Sequence, residues 1–254
     1  MALVVSSEMP RFYCPLALRV GQTLELPSGP ARHVQVLRLQ PGARVCLFNG
    51  ELVDGQRGEF VAQVVRMGRQ SVEVRLDEFQ VAQRHASRAV HLALGMPANE
   101  RMDWLVEKAT EIGVASIQPL MTERSVLRLS GERADKKRQH WQSVAQAACE
   151  QCGATELPEI HPVSRLQDWL EALLPAQGLR RLLSLQPGAV GVRQSLDAAP
   201  PQAPLLLLSG PEGGLSASEE SAAQKLGFVA ISLGPRVLRA ETAALAALTA
   251  AVLP

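Results

Sequence analysis

Apolar and polar positions follow two different rhythms along this chain. Up to about residue 76 the apolar residues come in short valine-rich pieces at Arg44 to Phe48, Glu59 to Val65 and Val72 to Leu76. The last piece, VEVRL, alternates strictly, as a half-buried strand does. Asn49-Gly50 and Asp54-Gly55 supply turn signals between the pieces. This part predicts a small β-barrel or sandwich. After a polar stretch at 77–88, strand patterns alternate with helical stripes. Strands are predicted at Val90 to Leu94, Val114 to Leu120 (ended by Pro119), Leu179 to Leu185, Leu205 to Ser209 and Phe228 to Leu233. Between them, Met102, Leu105, Val106, Ala109 and Ile112 make a helical stripe that stops at Gly113. Trp141, Val144, Ala145, Ala148 and Cys152 stripe a second helix, preceded by the basic run Lys136-Lys137-Arg138. Leu166, Trp169, Leu170 and Leu173 stripe a third, with Ser164 as its expected cap. Ser216 with Glu219 has the capping-box spacing, Gly227 ends that helix, and Ala240 to Val252 forms a last, alanine-rich one. The order predicts an α/β fold with a mainly parallel sheet covered by helices. Residues 1–76 and 77–254 are the expected domains.

Composition narrows this only a little. The chain has 254 residues, 46% hydrophobic and 20% charged, as ordinary globular proteins do. No apolar run approaches the roughly 20 residues of a membrane span. The start, MALVVSSEMP, lacks the basic region and apolar length of a signal peptide, so a cytoplasmic location and no membrane partner are expected. The net charge of +1 excludes little, but residues 1–76 hold nine Arg, no Lys and six acids, an excess of three positive charges. Arginine forks bind phosphates and stack on bases, so RNA is one reading of that excess. A general preference for Arg over Lys is the other. Of four cysteines only Cys149 and Cys152 form a CxxC, at the end of a helical pattern and without the second close pair that structural zinc wants. No metal site is expected.

The candidate chemistry lies in the last quarter. Gly210-Pro211-Glu212-Gly213-Gly214 and Gly234-Pro235-Arg236-Val237-Leu238-Arg239 leave the carboxyl ends of what read as adjacent strands, each leading into a helix. Open α/β sheets bind ligands at that edge, and glycine lets backbone approach a ligand closely. Neither loop has the lysine and hydroxyl of GxxxxGK[ST] or the spacing of GxGxxG. Glu212 would repel phosphates. A neutral or cationic ligand suits better, its flat part bonded to main-chain groups and covered by aliphatic side chains such as Leu233 and Leu238. S-adenosylmethionine, an adenine joined to a sulfonium, matches. A pair of ordinary turns ending buried strands remains the other reading, and the pattern alone names no ligand.

The two loops, as GPEGGLSASE and LGPRVLRAETA, carry a resemblance. They look like the C-terminal signature of knotted SPOUT methyltransferases, and among these of the ribosomal RNA small-subunit methyltransferase E family. MPRFYC and HVQVLRLQPGARVCLFNG resemble that family's N-terminal barrel, while RMDWLVEKATEIGV, TERSV and ACEQCG match its middle. The resemblance implies a PUA-like RNA-binding β-barrel followed by a SPOUT domain with a deep trefoil knot. It also implies a homodimer that uses S-adenosylmethionine to methylate N3 of a uridine, position 1498, in 16S ribosomal RNA, free or in the assembled small subunit. Another RNA base, or RNA binding without catalysis, are the alternatives.

Residue by residue, the cofactor pocket would take Leu208, Gly210, Pro211, Glu212, Gly213, Leu233, Gly234, Val237, Leu238, Arg239, Glu241 and Thr242. Arg239 is the candidate for stabilising charge on the uracil, with a salt bridge to Glu241 or Glu212 as its alternative. Glu212 is the candidate proton acceptor or sulfonium contact, with loop bracing as its alternative. Arg11, Arg32, His33, Arg38 and Arg124 are the candidate RNA contacts. The family commonly has an arginine after EQCG, where this chain has Ala154.

Overall fold

The computed structural model describes residues 9–82, 84–174 and 178–253. The chain forms two compact units, one from residues up to His85 together with Gln146–Leu157, the other from Ala86–Ala145 and the residues from Pro158 onward.

In the first unit, β1 (Arg11–Tyr13), β2 (Thr23–Glu25), α1 (Ser28–Val36), β3 (Arg44–Phe48), β4 (Gly58–Met67) and β5 (Val72–Val81) follow one another. The strands pair in the order β1-β3-β4-β5-β2, parallel only between β1 and β3. The alternation of VEVRL holds: Val72, Val74 and Leu76 are fully buried, packed with Val45, Leu47, Phe60 and Val64. The expected domain limit at Leu76 falls inside β5. Its second half stays in the sheet because a bulge at Asp77 in β5 lets Glu78–Val81 pair with Gly58–Val61. Helix α1 is an addition to the all-β expectation. Only Pro30, Ala31 and Val34 face inward, too few for a visible stripe.

A buried ion cluster fastens residues 149–154 to this sheet. Arg11 pairs with Glu59 at 2.8 Å and donates to the carbonyls of Cys149, Glu150 and Ala154. Arg84 reaches the other Glu59 oxygen at 2.7 Å and the Gly153 carbonyl. The two guanidinium groups thus satisfy carbonyls at a helix C-terminus, where cations suit the dipole. Cys149 lies buried in the same segment, its thiol pushed up to about 12, mainly by burial, and donating to the Glu156 carbonyl.

The second unit runs β6 (Val90–Gly95), α2 (Asn99–Ile112), β7 (Ser116–Met121), α3 (Gly131–Cys152), β8 (Glu159–Ile160), β9 (Ser164–Arg165), α4 (Leu166–Glu171), β10 (Leu179–Leu183), β11 (Val190–Gly191), α5 (Val192–Asp197), β12 (Leu205–Ser209), α6 (Ala217–Lys225), β13 (Val229–Ser232) and α7 (Ala240–Val252). Helix α3 gives residues up to Ala145 to this unit and the remainder to the first. All strand pairs are parallel, in the order β11-β13-β10-β12-β6-β7-β8, with β9 also on β7. Helices cover both faces of such a sheet, which is why its central strands read as unbroken apolar runs such as Leu205–Leu208.

Most punctuation signals hold. Gly113 ends α2 at φ 103. The capping box forms, with the Glu219 N–H donating to Ser216 Oγ and the Ser216 N–H to Glu219 Oε2. Three differ. Pro119 lies within β7 instead of ending it. It falls opposite the break between β8, which pairs with Ser116 and Ile117, and β9, which pairs with Leu120 and Met121, so no ladder bond is lost. Ser164 belongs to β9, and Arg165 is the N-cap of α4. The run Lys136-Lys137-Arg138 lies inside α3, not ahead of it.

Glu59 makes the first unit's stability depend on pH. Burial alone would raise its carboxyl pKa, but hydrogen bonds from Arg84 and the charge of Arg11 outweigh that and hold it below the ordinary value. A depressed native pKa gives stability that is present above the unfolded-chain value and lost as pH falls through the native one. The melting temperature of the wild type is therefore expected to fall more steeply than that of Glu59→Gln below about pH 5. Glu59→Ala leaves two guanidinium groups without their carboxylate and is expected to cost about 3–5 kcal/mol in urea unfolding at neutral pH.

Candidate functional site

The two glycine loops do not leave neighbouring strands. Strand β10 lies between β12 and β13, with Leu182 opposite Leu208 on one side and Ala230 on the other. Three chain segments therefore reach the same carboxyl edge: residues 210–215 after β12, residues 233–239 after β13, and Leu183–Gln186 at the end of β10 and beyond it. Together they line a cavity of about 520 Å³. The third segment was missing from the sequence reading, because nothing in LLSLQPG distinguishes it from a strand running on into a turn.

Local chemistry shapes the first loop. The Gly214 N–H donates to the Pro211 carbonyl at 2.8 Å, closing a turn that folds back on Gly210. A Cβ on Gly210 would stand 2.7 Å from the Gly214 carbonyl carbon and the Leu215 nitrogen. Gly95, at the end of β6, has the same function from below, since a Cβ there would stand 2.5 Å from Pro211 Cδ. Arg124 clamps the loop from outside by donating to the carbonyls of Gly213 at 2.9 Å and Leu215 at 3.3 Å. In the second loop Gly234 adopts φ +109, a conformation that L side chains rarely take, and its N–H donates to Ser232 Oγ.

Of the residues expected at the site, Gly210, Pro211, Glu212, Gly213, Leu233, Gly234, Val237, Leu238 and Arg239 line the cavity. Leu208 is fully buried beneath it, packed with Ala93, Leu182 and Leu215. Glu241 is buried in the first turn of α7, and Thr242 is exposed beside it. Neither lines the cavity. Glu212 Oε1 accepts from the Ala98 N–H at 3.0 Å and from Arg101 Nη1 at 3.2 Å. Arg101 also lies 3.9 Å from Glu241. The two carboxylates considered as partners for Arg239 thus both turn to Arg101, a residue that sequence reasoning had assigned no role. Arg239 caps the start of α7 through its backbone, and its exposed side chain has no hydrogen bond or ion pair among the described residues.

The candidate RNA contacts separate by exposure. Arg32 and Arg38 are exposed. His33 is exposed as well, 3.5 Å from Glu150. Arg124 is exposed but holds the first loop. Arg11 is buried, and its guanidinium donors are engaged by Glu59 and three carbonyls. Among the described residues no group of three or more His, Cys, Asp or Glu has the arrangement of a metal site.

The cavity therefore offers main-chain donors and acceptors from three segments, aliphatic faces from Ile231, Leu233 and Leu238, and the exposed guanidinium groups of Arg236 and Arg239. That combination suits a flat polar ligand held edge-on by backbone.

A model of the RNA methyltransferase domain matches residues 84–252. A ribosomal RNA small subunit methyltransferase E from Neisseria gonorrhoeae, solved bound to S-adenosyl methionine, is 34% identical over 95% of this chain and 96% of that one, with a TM-score of 0.84. A putative methyltransferase from Legionella pneumophila, in complex with bound SAM, is 35% identical at the same coverage and TM-score. Among curated proteins, the ribosomal RNA small subunit methyltransferase E of Bacillus subtilis is 28% identical over 95% of each chain. That of Synechocystis is 30% identical over 90% of this chain and 72% of its own length.

Gly210→Ala forces backbone apart within the loop. It is expected to cost about 1–3 kcal/mol of stability by urea unfolding, as overpacking does. Gly29→Ala, in open space with an ordinary φ within α1, is the control and is expected to leave stability unchanged or raise it by up to about 1 kcal/mol.

Proposed function

Because the chain belongs to the ribosomal RNA small subunit methyltransferase E family, we propose that it transfers a methyl group from S-adenosylmethionine to N3 of a uridine, position 1498, in 16S ribosomal RNA. The observation that carries this reading is the convergence of three backbone segments on one cavity at the carboxyl edge of a parallel sheet.

The residues present fit the donor. Gly210 lets the first loop fold back on itself at the cavity wall, and Leu233 and Leu238 offer faces for an adenine. Glu212 lines the cavity with its charge already shared with Arg101, and Glu241 lies behind the wall, so the fit to the donor rests on the backbone and the aliphatic faces. When bound, S-adenosylmethionine supplies an activated methyl group. The chain must then orient the uracil so that N3 loses its proton as the N–C bond forms. We assign Arg239 to the carbonyl oxygens of the uracil, where negative charge develops, because its guanidinium is exposed at the cavity and unengaged among the described residues. Glu212 is assigned to bracing the first loop, since its Oε1 already accepts two donors.

The remaining parts of the reading follow the family. The first unit acts as a PUA-like RNA-binding module, with Arg32, His33 and Arg38 facing the RNA and Arg11 serving inside the unit. Arg124 combines RNA contact with its hold on the first loop. The second unit is a SPOUT domain whose C-terminal segment is threaded as a trefoil knot. The passage from β12 past β10 to β13 and the packing of α7 on α2 support this reading. The enzyme works in the cytoplasm as a homodimer, on free RNA or the assembled small subunit.

Incubation of the protein with labelled S-adenosylmethionine and small-subunit ribosomal RNA or subunits lacking the modification is expected to place one methyl group on one uridine, located by nuclease mapping and mass spectrometry. No incorporation, or methylation of another base, would refute the proposal. Arg239→Ala is expected to lower turnover about 10²-fold while changing cofactor affinity little, as loss of one donor to a developing anion does. Affinity for RNA is expected to fall steeply with salt.

A further inference from the structure

Arg101 stands in the first turn of α2, outside both glycine loops, yet it meets a carboxylate from each side of the cleft. Its Nη1 is 3.2 Å from Glu212 in the first loop, and its Nε is 3.9 Å from Glu241, two residues beyond the second. Glu241 is 7% exposed, and its Oε2 is buried without a hydrogen-bond partner among the described residues. A buried carboxylate without a cation is strongly disfavoured. Besides the dipole at the start of α7, Arg101 is the one cationic side chain among the described residues in ion-pair range of this carboxylate. The contact with Glu212 is reinforced from the same helix end, where the Ala98 N–H donates to the same oxygen. Arg124 fastens only the first loop; Arg101 touches both sides.

We infer that Arg101 is a positioning residue: by bridging Glu212 and Glu241 it fixes the separation of the two loops, and with it the placement of the methyl donor between them. This deepens the S-adenosylmethionine reading above and rests on it for the identity of the ligand. The planar fork of a guanidinium can serve two carboxylates at once, whereas an ammonium at position 101 is a single point charge on a flexible stem. Arg101 touches no reacting atom in this scheme. Its effect passes through the two carboxylates.

The test compares the wild type with Arg101→Ala, Arg101→Lys, Glu212→Gln and the double variant Arg101→Ala/Glu212→Gln. One readout is the dissociation constant of S-adenosylmethionine by calorimetry. The other is hydrogen exchange of the amides at 210–214 and 236–239 in the ligand-free protein. Arg101→Ala is expected to weaken the cofactor about tenfold or more and to speed exchange in both loops. Arg101→Lys is expected to recover part of both, which a loss of general stability would not produce. The double variant is expected to bind within about twofold of Arg101→Ala, because the bridge is already gone. Unchanged affinity and exchange in a folded Arg101→Ala protein would overturn the inference, as would additive effects in the double variant. Should Arg101→Ala not fold, Arg101→Lys decides by the same two readouts, an intermediate loss supporting the bridge and wild-type behaviour refuting it. A wild type that binds no S-adenosylmethionine removes the cofactor reading, and loop exchange in the variants then decides the role of Arg101 alone.

Discussion

The parallel pairing of β10 between β12 and β13 is the constraint from which the site follows. In a parallel sheet every strand delivers its following loop to the same edge. Seating β10 between β12 and β13 therefore brings three loops, not two, onto one spot. Strand β12 is apolar on both faces, as a central parallel strand is, and β10 holds its place beside it with the guanidinium groups of Arg180 and Arg181 donating to the Leu226 and Ser195 carbonyls. Leu207 and Leu208 are fully buried, so β12 offers no polar face that would tolerate water. Given that arrangement, the loops need only be short, close to one another and rich in backbone. Gly210 and Gly95 let the main chain of the first loop pack where side chains would collide.

Legibility in the sequence tracked how local each cause was. The capping box at Ser216, the stop at Gly113 and the limits of α7 depend on neighbours within a turn, and they were read correctly. Pro119 was misread because its tolerance depends on β8 and β9, which begin some forty residues later and leave a break opposite it. The two glycine loops were found, but their neighbourhood was not. Periodicity shows that a strand exists and says nothing of which strand lies beside it. The segment Leu183–Gln186 was missed for that reason.

Arginines show the same limit. Arg11 and Arg239 look alike in sequence, each flanked by apolar residues in a motif of the family. One is 9% exposed and bound to Glu59 and three carbonyls; the other is exposed with no partner among the described residues. Their separate roles follow from partners distant in sequence, Glu59 and residues 149–154 for Arg11. No pattern within ten residues of either distinguishes them. The net charge of +1 hides the same distinction, because charges neutralised inside the fold count equally with those facing solvent.

Carboxylates near the cleft explain why an unpaired arginine persists there. An exposed arginine close to two glutamates would ordinarily pair with one of them, since an ion pair of good geometry is at least neutral in free energy. Arg101 takes both. Glu212 is occupied at 3.2 Å with help from the Ala98 N–H, and the Glu241 carboxylate is withdrawn from solvent in the first turn of α7. Arg239, at the N-cap of the same helix, is left with its charge directed to solvent at the cavity. The wall and the exposed cation thus have a common origin. The guanidinium that joins the loops also keeps their carboxylates from neutralising Arg239, which stays, with Arg236, an exposed cation at the cavity.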